Sequence, residues 1–252
     1  MFPLDASEIV LASMITVAAG FVKGAVGFAM PLIMISLIGS FADPRVALGL
    51  LVLPTLISNV LQVWNVGWSE VREALRDHGR YVAIVGAAIF ASAQAVTAMP
   101  ERVMLLVMGI PVVILSLVQL LGLRFTIPPS RRVFADWGIG LIAGGLGGIS
   151  GVWGPPTVLY LLALDTPKAR QMAVQGVVYG AGSVVLLVAH LRSGVFDAAV
   201  APLSALLVVP AFAGMWIGFG LGRRMDQALF RRATLVVLTV AGLNLVRRAL
   251  TG

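Results

Sequence analysis

Gly20-Phe21-Val22-Lys23-Gly24-Ala25-Val26-Gly27-Phe28, followed by Pro31, and Gly140-Leu141-Ile142-Ala143-Gly144-Gly145-Leu146-Gly147-Gly148, followed by Pro155-Pro156, decide the fold. The spacing GxxxGxxG recurs at an offset of 120, with proline four residues after it in the first stretch and eight in the second. Each stretch leads through an apolar arm to an Asp-Pro-basic turn, Asp43-Pro44-Arg45 and Asp165-Thr166-Pro167-Lys168, and then to a long apolar run. Glycine spacing alone is also what helix packing through small residues produces. The shared order of break, proline, short arm, turn and long helix carries more weight and marks an internal repeat.

The composition around these stretches is that of a membrane protein. Hydrophobic residues make up 59% of the 252-residue chain and charged residues 12%, about half the ~25% usual in soluble domains. So few charges cannot cover the surface of a soluble globule, which excludes a cytosolic enzyme, a disordered chain and a nucleic-acid-binding domain. The net charge of +7 resides in short basic clusters between apolar runs, a pattern of membrane topology signals rather than of a basic groove. There is no Cys, hence no disulfide, thiolate metal site or cysteine nucleophile. Asp5 and Glu8 precede the first apolar run, with no basic residues ahead of it, so a cleaved signal peptide is not expected.

Ten apolar pieces span 9–22, 28–41, 45–64, 80–99, 102–123, 134–149, 153–164, 168–190, 198–221 and 229–246. Six are long enough to cross a ~30 Å hydrocarbon core as helix. The pieces 9–22 with 28–41 and 134–149 with 153–164 form two shorter pairs broken by glycines, the sign of discontinuous or re-entrant helices. If each pair returns to its own side, Arg72, Arg76, Arg80, Arg124, Arg131, Arg132, Lys168, Arg170, Arg223, Arg224, Arg231 and Arg232 share one face, against Arg45, Arg102, Arg192, Arg247 and Arg248 on the other. The richer face is expected to be cytoplasmic, which puts both termini outside. The expected fold is an all-α polytopic membrane protein of two inverted repeats, 1–125 and 126–252. Each repeat is a broken or re-entrant hairpin plus three transmembrane helices. The mixed-charge stretch Ser69–Arg80 reads as a short amphipathic loop.

A helix broken inside a membrane frees N–H groups at the start of its second arm, and these must line a cavity or bind something. Two such starts are expected, near Phe28–Pro31 and Trp153–Pro156. Their partial positive charge favours an anion, and Gly24, Gly27, Gly147 and Gly151 let backbone approach it closely. Lys23 reads as the one charged residue well inside an apolar segment. Such a residue is a binding-site candidate by default, with snorkelling to an interface or capping of its own helix as the alternatives. The long helices after the turns carry polar residues: Thr55, Ser58, Asn59 and Gln62 in the first, Gln171, Gln175, Tyr179 and Ser183 every four residues in the second. Asn59, Gln175 and Tyr179, with Phe28 and Ser150 beside the breaks, complete the candidate site. Interhelical hydrogen bonding competes for the amides and hydroxyls. Trp153 reads either as a pocket wall or as an interface anchor. Asp43 and Asp165 read as caps of the helices that follow. No catalytic set, metal set or cofactor motif can be assembled from these residues.

These residues and motifs resemble the sulfite exporter TauE/SafE family, also called the toluenesulfonate uptake permease family. The best points are Gly20–Phe28 with Pro31, the Pro44-Arg45-Val46-Ala47 turn, Gly144–Gly147, and Ser150-Gly151-Val152-Trp153-Gly154-Pro155-Pro156. Lys23 departs from relatives that carry an uncharged residue such as Gln there, and the second half lacks the run of three glycines seen in many of them. The resemblance implies a bacterial inner-membrane secondary transporter of sulfite, thiosulfate, sulfonates or other organic anions, with export the commoner direction. The expected partners are a small anionic substrate, the lipid bilayer and a proton or sodium coupling ion, with no nucleic acid. Because no intramembrane carboxylate stands out, uniport down the electrical gradient is the other expectation. An anion channel of the same architecture and a non-transporting membrane subunit are the rival classes.

Overall fold

A computed structural model describes residues 3–122, 126–222 and 226–251. Arg124, Arg223 and Arg224 lie outside the described residues. Among those described there is no strand. Each apolar piece becomes one α-helix: α1 Ala6–Val26, α2 Met30–Ile38, α3 Pro44–Val66, α4 Trp68–Ala93, α5 Glu101–Leu120, α6 Arg132–Ser150, α7 Gly154–Ala163, α8 Lys168–Ser193, α9 Ala201–Gly222 and α10 Gln227–Thr251. Eight of them are long and apolar enough to cross a membrane. The exceptions, α2 with 9 residues and α7 with 10, reach only about 14–15 Å.

The first members of the two pairs are longer than their apolar cores, at 21 residues for α1 and 19 for α6. Polar residues supply the extra turns. Asp5 accepts from the Glu8 N–H at 2.8 Å while Glu8 accepts from the Asp5 N–H at 2.9 Å, a capping box. The Glu8 amide, then the Ser7 hydroxyl, hold the Asp5 carboxyl below its ordinary pKa. Lys23 and Gly24 continue the helix instead of breaking it, and the break comes at Gly27.

Ser69–Arg80 is not a loop but the opening turns of α4. Glu70, Glu73 and Asp77 recur at i, i+3 and i+7, so they share a face. There Arg170, at the start of α8, meets them at 3.6, 2.5 and 2.5 Å. Asp43 caps α3 by accepting from the Arg45 N–H. Asp165 does not cap α8: it has a positive φ of 52° in the turn after α7, and Pro167 holds the cap position.

The halves are interlocked. α1 packs along α9, and α6 packs along α4. Gly20 and Gly24 lie against the Ala211 and Met215 carbonyls, while Gly214 and Gly218 face those of Val17 and Phe21. Gly140, Gly144 and Gly148 meet Ile84, Val85 and Ile89 in order along α4. Both pairs therefore run in the same direction. α5 packs on α10 through Gly109 and Gly242, and α3 crosses α8.

Contacts between helix ends sort into two groups. At one, Arg170 joins the starts of α8 and α4, Arg132 at the start of α6 donates to the Asp77 carbonyl, and the Ile127 N–H donates to Ala163 at the end of α7. At the other, Arg248 near the end of α10 donates to the Gly39 and Ala42 carbonyls after α2 and pairs with Glu101 of α5 at 2.8 Å. Arg45 of α3 reaches the Met99 carbonyl at 2.6 Å, and Val200, just ahead of α9, touches Gly49.

Gly144 has no room for a larger side chain, because its Cβ would overlap the Val85 carbonyl and the Ala88 methyl. Overpacking of this kind typically costs about 1–3 kcal/mol. Gly144→Val should lower the thermal unfolding midpoint in detergent, whereas Gly145→Ala, with open space around its Cβ, should leave it within error.

Candidate functional site

Both helix breaks use one device. α1 ends at Gly27 with φ 85°, its N–H donating to the Lys23 carbonyl at 2.7 Å; α6 ends at Gly151 with φ 72°, donating to Gly147 at 2.7 Å. Left-handed glycine is the common helix stop. In each half a proline follows four residues later, Pro31 and Pro155. Aligned on these stops, the halves are offset by 124 residues, one helical turn beyond the offset of the glycine spacing. Neither α2 nor α7 is capped by a side chain. The first turn of α2 presents the N–H groups of Met30 and Leu32; that of α7 presents Gly154 alone, since Pro155 and Pro156 have none. Ala29 enters α2 with φ 81°, a left-handed conformation costing a non-glycine residue about 1–2 kcal/mol.

Between the two starts lies a narrow cavity lined by Lys23, Phe28, Asn59, Gly151, Trp153 and Tyr179 among others. Lys23 is only 4% exposed. Its Nζ donates to Ser58 Oγ at 2.8 Å and to Asn59 Oδ1. Asn59 Nδ2 in turn donates to the Tyr179 carbonyl at 3.2 Å, and the Tyr179 hydroxyl to the Gly154 carbonyl at 3.2 Å. One polar chain thus links α1, α3, α8 and the first turn of α7. Among the described residues no carboxylate lies within 4.0 Å of Lys23.

Five of the eleven candidates do not line the cavity. Gly24 is taken up by the contact with α9. Gly27 supplies the turn, with open space where a Cβ would stand. Ser150 Oγ bonds back to the Leu146 carbonyl at 2.7 Å. Gln175 is half-buried on α8, one turn, about 6 Å, short of Tyr179 along the axis. Gly147 serves as the seat of Trp153, whose ring approaches its Cβ position at 3.0 Å and that of Gly182 at 3.0 Å. Trp153 is 2% exposed and so is a wall, not an interface anchor. With the stops aligned, Gly147 and Gly182 are the counterparts of Lys23 and Ser58. The indole therefore fills in the second half what the lysine and its partner fill in the first.

A second buried charge, Asp136, went unread because it falls inside an apolar piece. It is 3% exposed. It accepts from Arg80 Nε at 2.7 Å and from the Tyr160 hydroxyl. The Tyr160 ring stacks on Tyr81 at 4.2 Å between centroids, and the Tyr81 hydroxyl meets Thr157 Oγ1 at 3.1 Å. Thr157 donates to the Trp153 carbonyl at 2.8 Å. This chain fixes the start of α7, and with it the cavity wall, to α4 and α6.

A family model described as sulfite exporter TauE/SafE matches residues 12–245. No curated protein and no solved structure matches the chain.

Asp136→Asn should loosen this anchor. Asn keeps the shape but loses the charge, and hydrogen bonds to a charged group contribute about 1.5–3 kcal/mol; the Arg80 side chain is 46% exposed, which puts the expected loss at the low end. Thermal unfolding in detergent, compared with Arg80→Met, measures it.

Proposed function

The chain belongs to the sulfite exporter TauE/SafE family, and from that premise we propose that it is a secondary transporter for a sulfur-containing or organic anion of the sulfite or sulfonate type. It works in a bacterial inner membrane. The anion binds between the two helix breaks at the midplane, and alternating access comes from one half rocking against the other. The observation that carries this reading is Lys23: a buried lysine with no carboxylate beside it among the described residues, facing a cavity bounded by two uncapped helix starts. Two helix starts and an amine able to donate to it favour an anion there. The Met30 and Leu32 amides, the Lys23 ammonium and the Asn59 amide are donors suited to oxyanion oxygens.

Residues 1–125 and 126–252 act as inverted repeats. Support comes from the helix directions. α1 runs with α9 and α6 with α4, so α1–α2 and α6–α7 each return to the end they start from, and these ends are opposite. The end holding Arg72, Arg76, Arg80, Arg131, Arg132 and Arg170 is cytoplasmic by its positive charge, and both termini are periplasmic. With the inside negative, each net negative charge that leaves the cell gains about 2.3 kcal/mol per 100 mV, which favours export wherever the unit that crosses carries net negative charge.

Counterflow in proteoliposomes tests the transport. Vesicles loaded with unlabelled sulfite, thiosulfate or methanesulfonate should accumulate a trace of labelled thiosulfate from outside. Lys23→Gln should weaken the apparent affinity by about 10–100-fold, the value of one charge-assisted hydrogen bond. Flux without accumulation points to a channel, and unchanged affinity removes Lys23 from the site. Topology has its own test, helped by the absence of native Cys: Ser7→Cys and Ser130→Cys should react with an impermeant thiol reagent from opposite sides of the membrane. Labelling of both from one side defeats the inverted arrangement.

A further inference from the structure

We propose that Lys23 carries a proton along with the anion, as a neutral amine in the empty cavity and as an ammonium when the anion is bound. This rests on the transport reading above and adds the coupling ion to it. The argument is a count of donors. Lys23 Nζ has two hydrogen-bond partners, Ser58 Oγ and Asn59 Oδ1. Both are held as acceptors: the Ser58 hydroxyl spends its proton on the Thr55 carbonyl at 3.0 Å, and the Asn59 amide is oriented by the donation of Nδ2 to Tyr179. A neutral amine has two N–H bonds and one lone pair, so these two acceptors satisfy it and leave the lone pair toward the cavity. An ammonium has three N–H donors. Its third would point into an apolar cavity, with neither an acceptor nor a counter-charge among the described residues, and an isolated buried ion gives up its charge instead.

The surroundings offer no other charge. α2 presents Pro31 and Leu32, α3 presents Ser58 and Asn59, and α7 presents Gly154 and Pro155. Met215, Gly218 and Phe219 of α9 lie against the adjacent Gly24. Among the described residues lining the cavity, Tyr179 on α8 is the one titratable group besides Lys23, and its hydroxyl is committed to the Gly154 carbonyl. Asp136 is committed to Arg80 and Tyr160.

The step balances without a further reactant. A proton from water on the open side forms an N–H bond at the Nζ lone pair, and the anion accepts from that new donor. After the cavity opens to the other side, the anion leaves, the N–H bond breaks and the proton returns to water. A monoanion such as a sulfonate therefore moves with no net charge, and the proton gradient alone sets its direction. A dianion such as thiosulfate moves with one net negative charge, which the membrane potential drives outward.

Proteoliposomes clamped at zero potential, with the lumen at pH 8 and the outside at pH 7, test this with labelled thiosulfate and methanesulfonate. Neither probe titrates in that range, so any proton moved belongs to the protein. The wild type should acidify the lumen as anion enters and accumulate anion about tenfold for the one-unit gradient. In Lys23→Arg, which keeps its charge at every accessible pH, whatever labelled anion crosses should show neither accumulation nor acidification. Accumulation that persists in Lys23→Arg overturns the proposal. So does wild-type counterflow without proton movement, which leaves the transport reading standing; no counterflow with any anion overturns both. A second measurement does not depend on an active variant. The chain has two lysines, Lys23 and Lys168, so NMR of lysine labelled at Cε and Nζ resolves each. The Lys23 signal should be that of an amine at pH 8 without anion and move to that of an ammonium when thiosulfate is added. An ammonium signal in the empty protein overturns the proposal.

Discussion

A helix that breaks within a membrane must satisfy its freed backbone groups inside the protein, since lipid offers no partner. Much else in this fold answers that constraint. The left-handed stops at Gly27 and Gly151 absorb the last carbonyls of α1 and α6. Pro31, Pro155 and Pro156 remove donors that would otherwise need partners at the start of the next arm. The starts of both second arms line one cavity. To hold two broken hairpins there, the protein wraps each in long helices: α9 lies on α1 and α4 on α6, with glycines removing the side chains that would keep the backbones apart. The recurring glycine spacing is thus largely the seam of these contacts, and only its last member in the first stretch makes a stop.

The two halves share the device but not the contents. Where the first half places Lys23 and Ser58, the second has Gly147 and Gly182, and the Trp153 indole lies on them. One side of the cavity is therefore polar and carries the lysine, the other aromatic and closed. A symmetric site would have brought either two lysines, whose repulsion in a low-dielectric cavity is severe, or two indoles and no charge at all. The asymmetry gives the cavity one lysine and an orientation.

Much of the architecture is legible in the sequence because a lipid solvent forces every helix to be apolar over most of its length. All ten segments and the positions of both breaks follow from that. Charges inside helices are less legible. Asp136 stands in a run that reads as apolar, and only the fold brings Arg80 and Tyr160 to it. The acidic face of residues 70–77 looks like loop until Arg170 is opposite it. Of the candidate site residues, Lys23, Phe28, Asn59, Gly151, Trp153 and Tyr179 line one cavity. Gln175 shares a stripe with Tyr179, but a stripe gives the face and not the depth, and one turn along α8 is enough to leave the cavity. Ser150 sits beside the break yet turns its hydroxyl back on its own helix. Gly147 matches the glycine spacing of Gly27, while the stop itself comes four residues later.

Lys23 and Asp136 show how differently one protein treats two buried charges. Asp136 has an arginine and a tyrosine on it, and its ion is compensated whatever the rest of the molecule does. That is the pattern of a group that positions others, and its chain of contacts ends at the wall of the cavity. Lys23 has two neutral acceptors and an open side. A purely structural lysine would gain from a carboxylate nearby, and a leucine would fill the space without the cost of burying an amine. What a lone lysine provides that neither alternative does is an amine that gains its third donor and its charge only when something else arrives to accept from it. The energetics of the pocket then depend on its occupant, which a carrier needs if its empty and loaded forms are to cross the membrane differently.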